Sequence, residues 1–175
     1  MPYLILFIAT ILGANWAIQV FGLVPVGPNL LAPAGVYFAG LAFTFRDLAQ
    51  EKVSRGWIVA AIAAGAVLSA AVSTKFAVAS GIAFLISELL DFAVYTPLRR
   101  RNWIGAVVAS NVVGLIADSV LFLVLAFGSL QYLSGQVVGK AWMTLLAVAV
   151  LWLLRRRMAP SESGGEAAPA ASTEP

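Results

Sequence analysis

The sequence predicts an all-α protein, a polytopic membrane helix bundle with about six transmembrane helices. Three observations point there. Of its 175 residues, 61% are hydrophobic and only 11% charged, and the mean hydropathy is +0.94, well outside the range of water-soluble domains. The apolar residues gather into long runs separated by prolines, glycines and charges. The basic residues fall in short clusters between those runs rather than along one solvated face. The pI near 9.6 therefore reports topology, and no nucleic-acid partner is expected.

Tyr3 to Val24 matches the roughly 20 residues that a hydrocarbon core requires. It has no basic n-region and no small-residue cleavage site, so it reads as a mature span rather than a signal peptide. Pro25-Val-Gly-Pro28 breaks the chain before the second run, Leu31 to Leu48. That run and the third, Trp57 to Val72, are marginal in length. The fourth, Phe76 to Tyr95, follows a thin turn at Ser73-Thr74-Lys75, so runs three and four read as two spans, a helical hairpin or a re-entrant segment. Trp103 to Phe127 ends at Gly128-Ser129, and Leu133 to Leu154 completes the set. Residues 1–154 thus form the transmembrane domain. Residues 155–175, rich in Ala, Pro, Ser, Gly and Glu, have too little apolar surface to bury and read as a disordered cytoplasmic tail.

Arg46, Lys52 and Arg55 fall between runs two and three; Arg99, Arg100 and Arg101 between four and five; Arg155, Arg156 and Arg157 after six. With six spans all three clusters share one side. The excess of basic residues in cytoplasmic loops makes it the inner face of the cytoplasmic membrane, with both termini inside and Lys75 on an outer loop. Trp57, Trp103 and Trp152 lie at the same inner ends, where interfacial tryptophans anchor helices.

Cysteine and histidine are both absent. That excludes disulfides, thiolate or imidazole metal sites, His-ligated haem and Ser–His catalysis. No cofactor and no enzymatic activity are expected. The informative residues are the charges inside apolar runs, each costing roughly 2.5–3.5 kcal/mol at a helix centre and therefore facing a cavity or a partner. Glu88 and Asp91 are three apart in the fourth run, which also carries Ser80 and Ser87. Asn111, Gly114 and Asp118 share a face of the fifth; Gln136, Lys140 and Thr144 share one of the sixth; Asn15 and Gln19 share one of the first. One lysine cannot neutralise three carboxylates, so an unpaired acid must take up a proton or contact a ligand. The uncharged members serve equally as hydrogen-bonding groups between helices. Asp47, beside Arg46, reads either as part of the site or as an interfacial ion pair. Ala9, Gly13 and Ala17 form a small-residue face suited to packing within the bundle or to docking a second protein.

Lys75-Phe-Ala-Val-Ala-Ser80, Ser87-Glu88-Leu-Leu-Asp91, the loop Arg99-Arg-Arg-Asn-Trp103, and Ser110-Asn111 with Gly114-Leu-Ile-Ala-Asp118-Ser119 together resemble the VUT family of six-helix queuosine-precursor transporters. Arg46-Asp47-Leu48 is similar to the Asp-containing end of that family's second helix, with Arg46 where members commonly carry Thr, and Lys140 is placed like the family's lysine in helix six. The resemblance runs from Pro33 to Leu154. It implies uptake of a 7-deazaguanine-type base, bound by Asp47, Glu88, Asp91, Asn111, Asp118 and Lys140, with Trp142, Phe84 or Phe76 stacking on its face. The implied partners are that small-molecule substrate, the lipid bilayer, protons as coupling ion through Asp91 or Asp118, and either a second copy of the chain or an energising module. The competing readings are a substrate-binding subunit of an energy-coupling-factor type transporter for a vitamin-like molecule, a membrane enzyme acting on lipid, and a non-transport assembly protein.

Overall fold

The computed structural model describes residues 2–158. Helix α1 spans Pro2–Phe21 and ends where Gly22 adopts φ 64°, a left-handed conformation that glycine takes without steric cost. From there the chain is extended rather than helical. Strands β1 (Leu23–Gly27) and β2 (Leu30–Pro33) pair antiparallel, with Leu23 opposite Pro33 and Val24 opposite Ala32. This corrects the helical reading that ran to Val24 and resumed at Leu31. Pro25 and Pro28 have no N–H for a helix ladder, and Asn29, at φ 56°, supplies the left-handed residue that closes the hairpin. The Tyr37 hydroxyl donates to the Pro25 carbonyl at 2.7 Å and ties the hairpin to the next helix.

Helices α2 (Val36–Gln50) and α3 (Arg55–Ala70) have 15 and 16 residues. At about 1.5 Å per residue they fall short of a hydrocarbon core of about 30 Å. Helices α4 (Thr74–Leu98), α5 (Trp103–Phe127) and α6 (Leu133–Met158) are longer. Ser73 caps α4 by accepting from the Phe76 N–H, which makes α3 and α4 separate helices. Asn102 caps α5 in the same way through the Gly105 N–H at 2.9 Å. Among the described residues, the segments long and apolar enough to cross a membrane are Pro2–Phe21, Thr74–Leu98, Val108–Phe127 and Leu133–Leu151. The protein is an all-α membrane helix bundle, with six helices among the described residues, four of them of spanning length. Helix α6 runs past Leu154 to Met158, and the remainder of the expected tail, 159–175, lies outside the described residues.

A core of Phe7, Ile11, Phe43, Ile58, Ile62 and Phe84 joins α1 to α4. Helix α5 packs along α4, and α6 packs against α2 and the hairpin. On the small-residue face of α1, a Cβ at Gly13 would lie 2.6 Å from the Phe38 ring. Gly13 therefore receives α2, and Ala17 is buried, whereas Ala9 on the same face is exposed. One basic residue departs from its cluster in burial. Arg46 lies within α2 and is only 2% exposed, whereas Lys52, Arg55 and Arg99 to Arg101 are exposed around the interhelical turns as expected.

Candidate functional site

The polar stripes converge on two buried centres. In the first, α2 supplies Arg46 and Gln50, one turn apart, and α4 supplies Glu88 and Asp91. Arg46 Nη1 donates to Glu88 Oε2 at 2.5 Å, and its Nη2 and Nε donate to Asp47 Oδ1 at 2.7 and 3.0 Å. Nη2 also reaches Asn111 Oδ1 on α5 at 3.5 Å. The other oxygen of Glu88 accepts from Gln50 Nε2. Arg46 and Glu88 are sealed from the surroundings, while the Asp47 side chain is 48% exposed. A guanidinium so placed suits two carboxylates, because its forked donors meet both without further rearrangement.

A cavity of about 380 Å³ opens beside this centre, lined by Arg46, Asp47, Asp91, Tyr95, Ser110 and Asn111 among others. Asp91 is 8% exposed, and its buried Oδ1 has no hydrogen-bond partner among the described residues. Gly114 on α5 leaves room for this carboxyl: a Cβ there would sit 3.7 Å from Asp91 Cβ and 3.9 Å from Oδ1.

In the second centre, Lys140 Nζ on α6 donates to Asp118 Oδ2 at 2.5 Å and to Ser119 Oγ at 2.9 Å, both on α5. Lys140 and Asp118 are 1% and 5% exposed. Asn15 Nδ2 on α1 donates to Ser80 Oγ on α4 at 3.1 Å. A small, partly open cavity of about 50 Å³ lies between these pairs, lined by Asn15, Ser80, Phe84, Phe122, Gln136 and Lys140 among others. An apolar cavity of about 150 Å³ is what benzene requires, so a bicyclic ligand enters only if this chamber widens.

Aromatic rings separate the centres. Phe84 stacks on Phe43 at 5.1 Å and tilts against Phe7 at 5.4 Å, while the Arg46 guanidinium lies 5.3 Å from the Phe43 ring centre. Along α4, Ser80 lines the chamber, Phe84 forms the partition, and Glu88 and Asp91 belong to the Arg46 centre. The eight residue steps from Ser80 to Glu88 span about 12 Å of helix axis.

Of the residues singled out in the sequence, Asp47, Glu88, Asp91 and Asn111 meet at the Arg46 centre, and Asp118 and Lys140 meet at the other. Trp142 joins neither: it is 61% exposed on the outside of the bundle. Of the other two rings named, Phe84 lines the chamber and Phe76 packs against Phe127 at 5.9 Å. The charge count also changes. Arg46, read as a member of a topogenic basic cluster, is a second buried cation, so of the three intramembrane acids Glu88 and Asp118 each have a partner and Asp91 has no cation bonded to it among the described residues. Gln50 was legible only through its four-residue spacing from Arg46, and the hydroxyl of Ser119 at its place beside Asp118 carries no periodic signal.

Fold and site together define an integral membrane protein with two separated polar centres inside its helix bundle. A match to the family described as "Putative vitamin uptake transporter" covers residues 57–155, more than half of the chain. The chain belongs to that family, a family of transporters with small-molecule substrates. The match supports the resemblance read earlier from Trp57 onward; the Arg46-Asp47-Leu48 segment lies outside it. No curated protein and no solved structure matches the chain.

Proposed function

We propose that the protein takes up a queuosine precursor, a 7-deazaguanine-type base, across the cytoplasmic membrane, passing it through the chamber beside Lys140 and then past the Arg46 centre. The observation that carries this reading is the pair of cavities on either side of the Phe43–Phe84 partition, each lined by buried polar groups from several helices. Buried polar groups in a bilayer are costly, and a solute path is the usual reason for keeping them. A deazaguanine base is planar, so Phe84 and Phe122 suit its faces, while its ring N–H and amino groups suit carboxylate and amide acceptors. Membership of an uptake family and the motif order from Lys75 to Ser119 support the substrate class. The basic clusters support an orientation with the Arg46 cavity on the cytoplasmic side, where the base leaves. Asp91, facing that cavity without a cation bonded to it, suits a proton-coupling role.

The test is growth of a host unable to make queuosine precursors, supplied with the cyano-substituted deazaguanine base at low concentration. Expression of this chain restores queuosine in tRNA, read by boronate gel shift, and Asp91→Ala at equal membrane abundance does not. Normal abundance without any shift refutes the assignment of this base.

A further inference from the structure

Four buried side-chain atoms among the described residues lack a hydrogen-bond partner: Thr44 Oγ1, Ser69 Oγ, Asp91 Oδ1 and Gln136 Oε1. Gln136 differs from the others because it lines the chamber beside Lys140 and is 2% exposed. Every other polar side chain lining that chamber has a partner. Thr10 donates to the Phe7 carbonyl, Asn15 and Ser80 bond each other, and Lys140 bonds Asp118. The Gln136 amide thus offers an unpaired buried acceptor, with its Nε2 donor group on the same side chain, in a narrow chamber lined by two aromatic rings. Such a group is expensive to keep unless something pairs with it.

Resting on the uptake function proposed above, we propose that Gln136 is the specificity-determining contact of the chamber, and that it selects planar heterocycles bearing a lactam edge. Its Oε1 accepts the ligand's ring N–H while its Nε2 donates to the adjacent ring carbonyl, in the bidentate manner by which Asn and Gln read base edges. Phe84 and Phe122 then lie against the flat faces of the ring. Rotating the amide exchanges its two ends, so a lactam presented in either sense is read. A ring whose lactam nitrogen is methylated loses the donor and brings a methyl group against Oε1, and it is rejected.

The experiment uses the purified full-length protein and a panel of the cyano-substituted deazaguanine, guanine, a pterin and uracil, each beside its lactam N-methyl analogue. Thermal shift and calorimetric titration are the readouts. At least one lactam stabilises the wild type, and its methylated analogue binds about tenfold or more weakly, the worth of the one hydrogen bond lost together with the methyl clash. Gln136→Leu abolishes that discrimination and raises the ligand-free thermal midpoint, because it removes an unpaired buried amide. Gln136→Met does the same if the leucine variant folds poorly. Gln19→Leu, an exposed amide on α1, changes neither property. Discrimination that survives in both Gln136 variants overturns the inference, as does a panel in which no lactam stabilises the wild type. Binding of a pterin or uracil without the deazaguanine leaves Gln136 in this role and refutes only the substrate named above.

Discussion

Replacing Lys140 with methionine removes a charge but little volume, and isolates the role of the Lys140–Asp118 pair. The ammonium and carboxylate are 2.5 Å apart, with side chains only 1% and 7% exposed, so Asp118 gains no solvent when its partner is lost. Ser119 keeps its bond to the Leu115 carbonyl at 2.8 Å, which concentrates the damage on the carboxylate. Breaking one side of a buried pair costs about 3–5 kcal/mol. For a chain of this size that corresponds to a fall of roughly 6–20 °C in thermal midpoint. The double variant Lys140→Met/Asp118→Leu leaves no orphaned charge and recovers at least half of that loss, since apolar residues of similar volume often replace a buried pair without penalty. A fluorescent-protein fusion heated in detergent and monitored by size-exclusion chromatography measures all four corners of this cycle. A single variant within about 2 °C of the wild type, or a double variant whose loss equals the sum of the two singles, refutes the pairing.

Asp91→Asn removes an acid whose buried oxygen has no hydrogen-bond partner, so stability changes by no more than about 1 kcal/mol while uptake in the queuosine assay is lost; a destabilised variant with normal uptake sinks the assignment. Gly135→Ala places a methyl group where an ideal Cβ lies 2.1 Å from the Leu31 carbonyl oxygen, forcing β2 away from α6. The thermal midpoint then falls by roughly 2–12 °C and the hairpin becomes sensitive to limited proteolysis, and an unchanged midpoint and cleavage pattern would contradict the packing.

The helices were legible from run length and breakers, because a bilayer admits few other ways to satisfy backbone polar groups. The hairpin at Leu23 to Pro33 escaped that logic. Its residues are as apolar as the flanking helices, and only the two prolines and Asn29 separate a strand pair from an irregular loop. The acids of the site were legible because a charge within an apolar run is conspicuous wherever it points. Arg46 was hidden by its neighbours: with Lys52 and Arg55 it forms a basic cluster that looks topogenic, although it is buried and bonded to Glu88. Trp142 failed in the opposite way. Its position two residues after Lys140 turns it about 200° around α6, away from the polar face.

The sequence by itself determined that this is a membrane helix bundle, that its polar residues lie on stripes, and that a few acids and bases must find partners inside it. Those facts follow from composition and from helical spacing, which are local. Only the tertiary structure decided that Arg46 meets Glu88, that Lys140 meets Asp118, and that Asp91 and Gln136 are left open beside separate cavities. Partner choice depends on how far each helix is rotated and shifted against its neighbours. Close approaches at Gly13 and Gly135, where a side chain would collide with the facing element, settle part of that arrangement, and single-helix periodicity does not contain it.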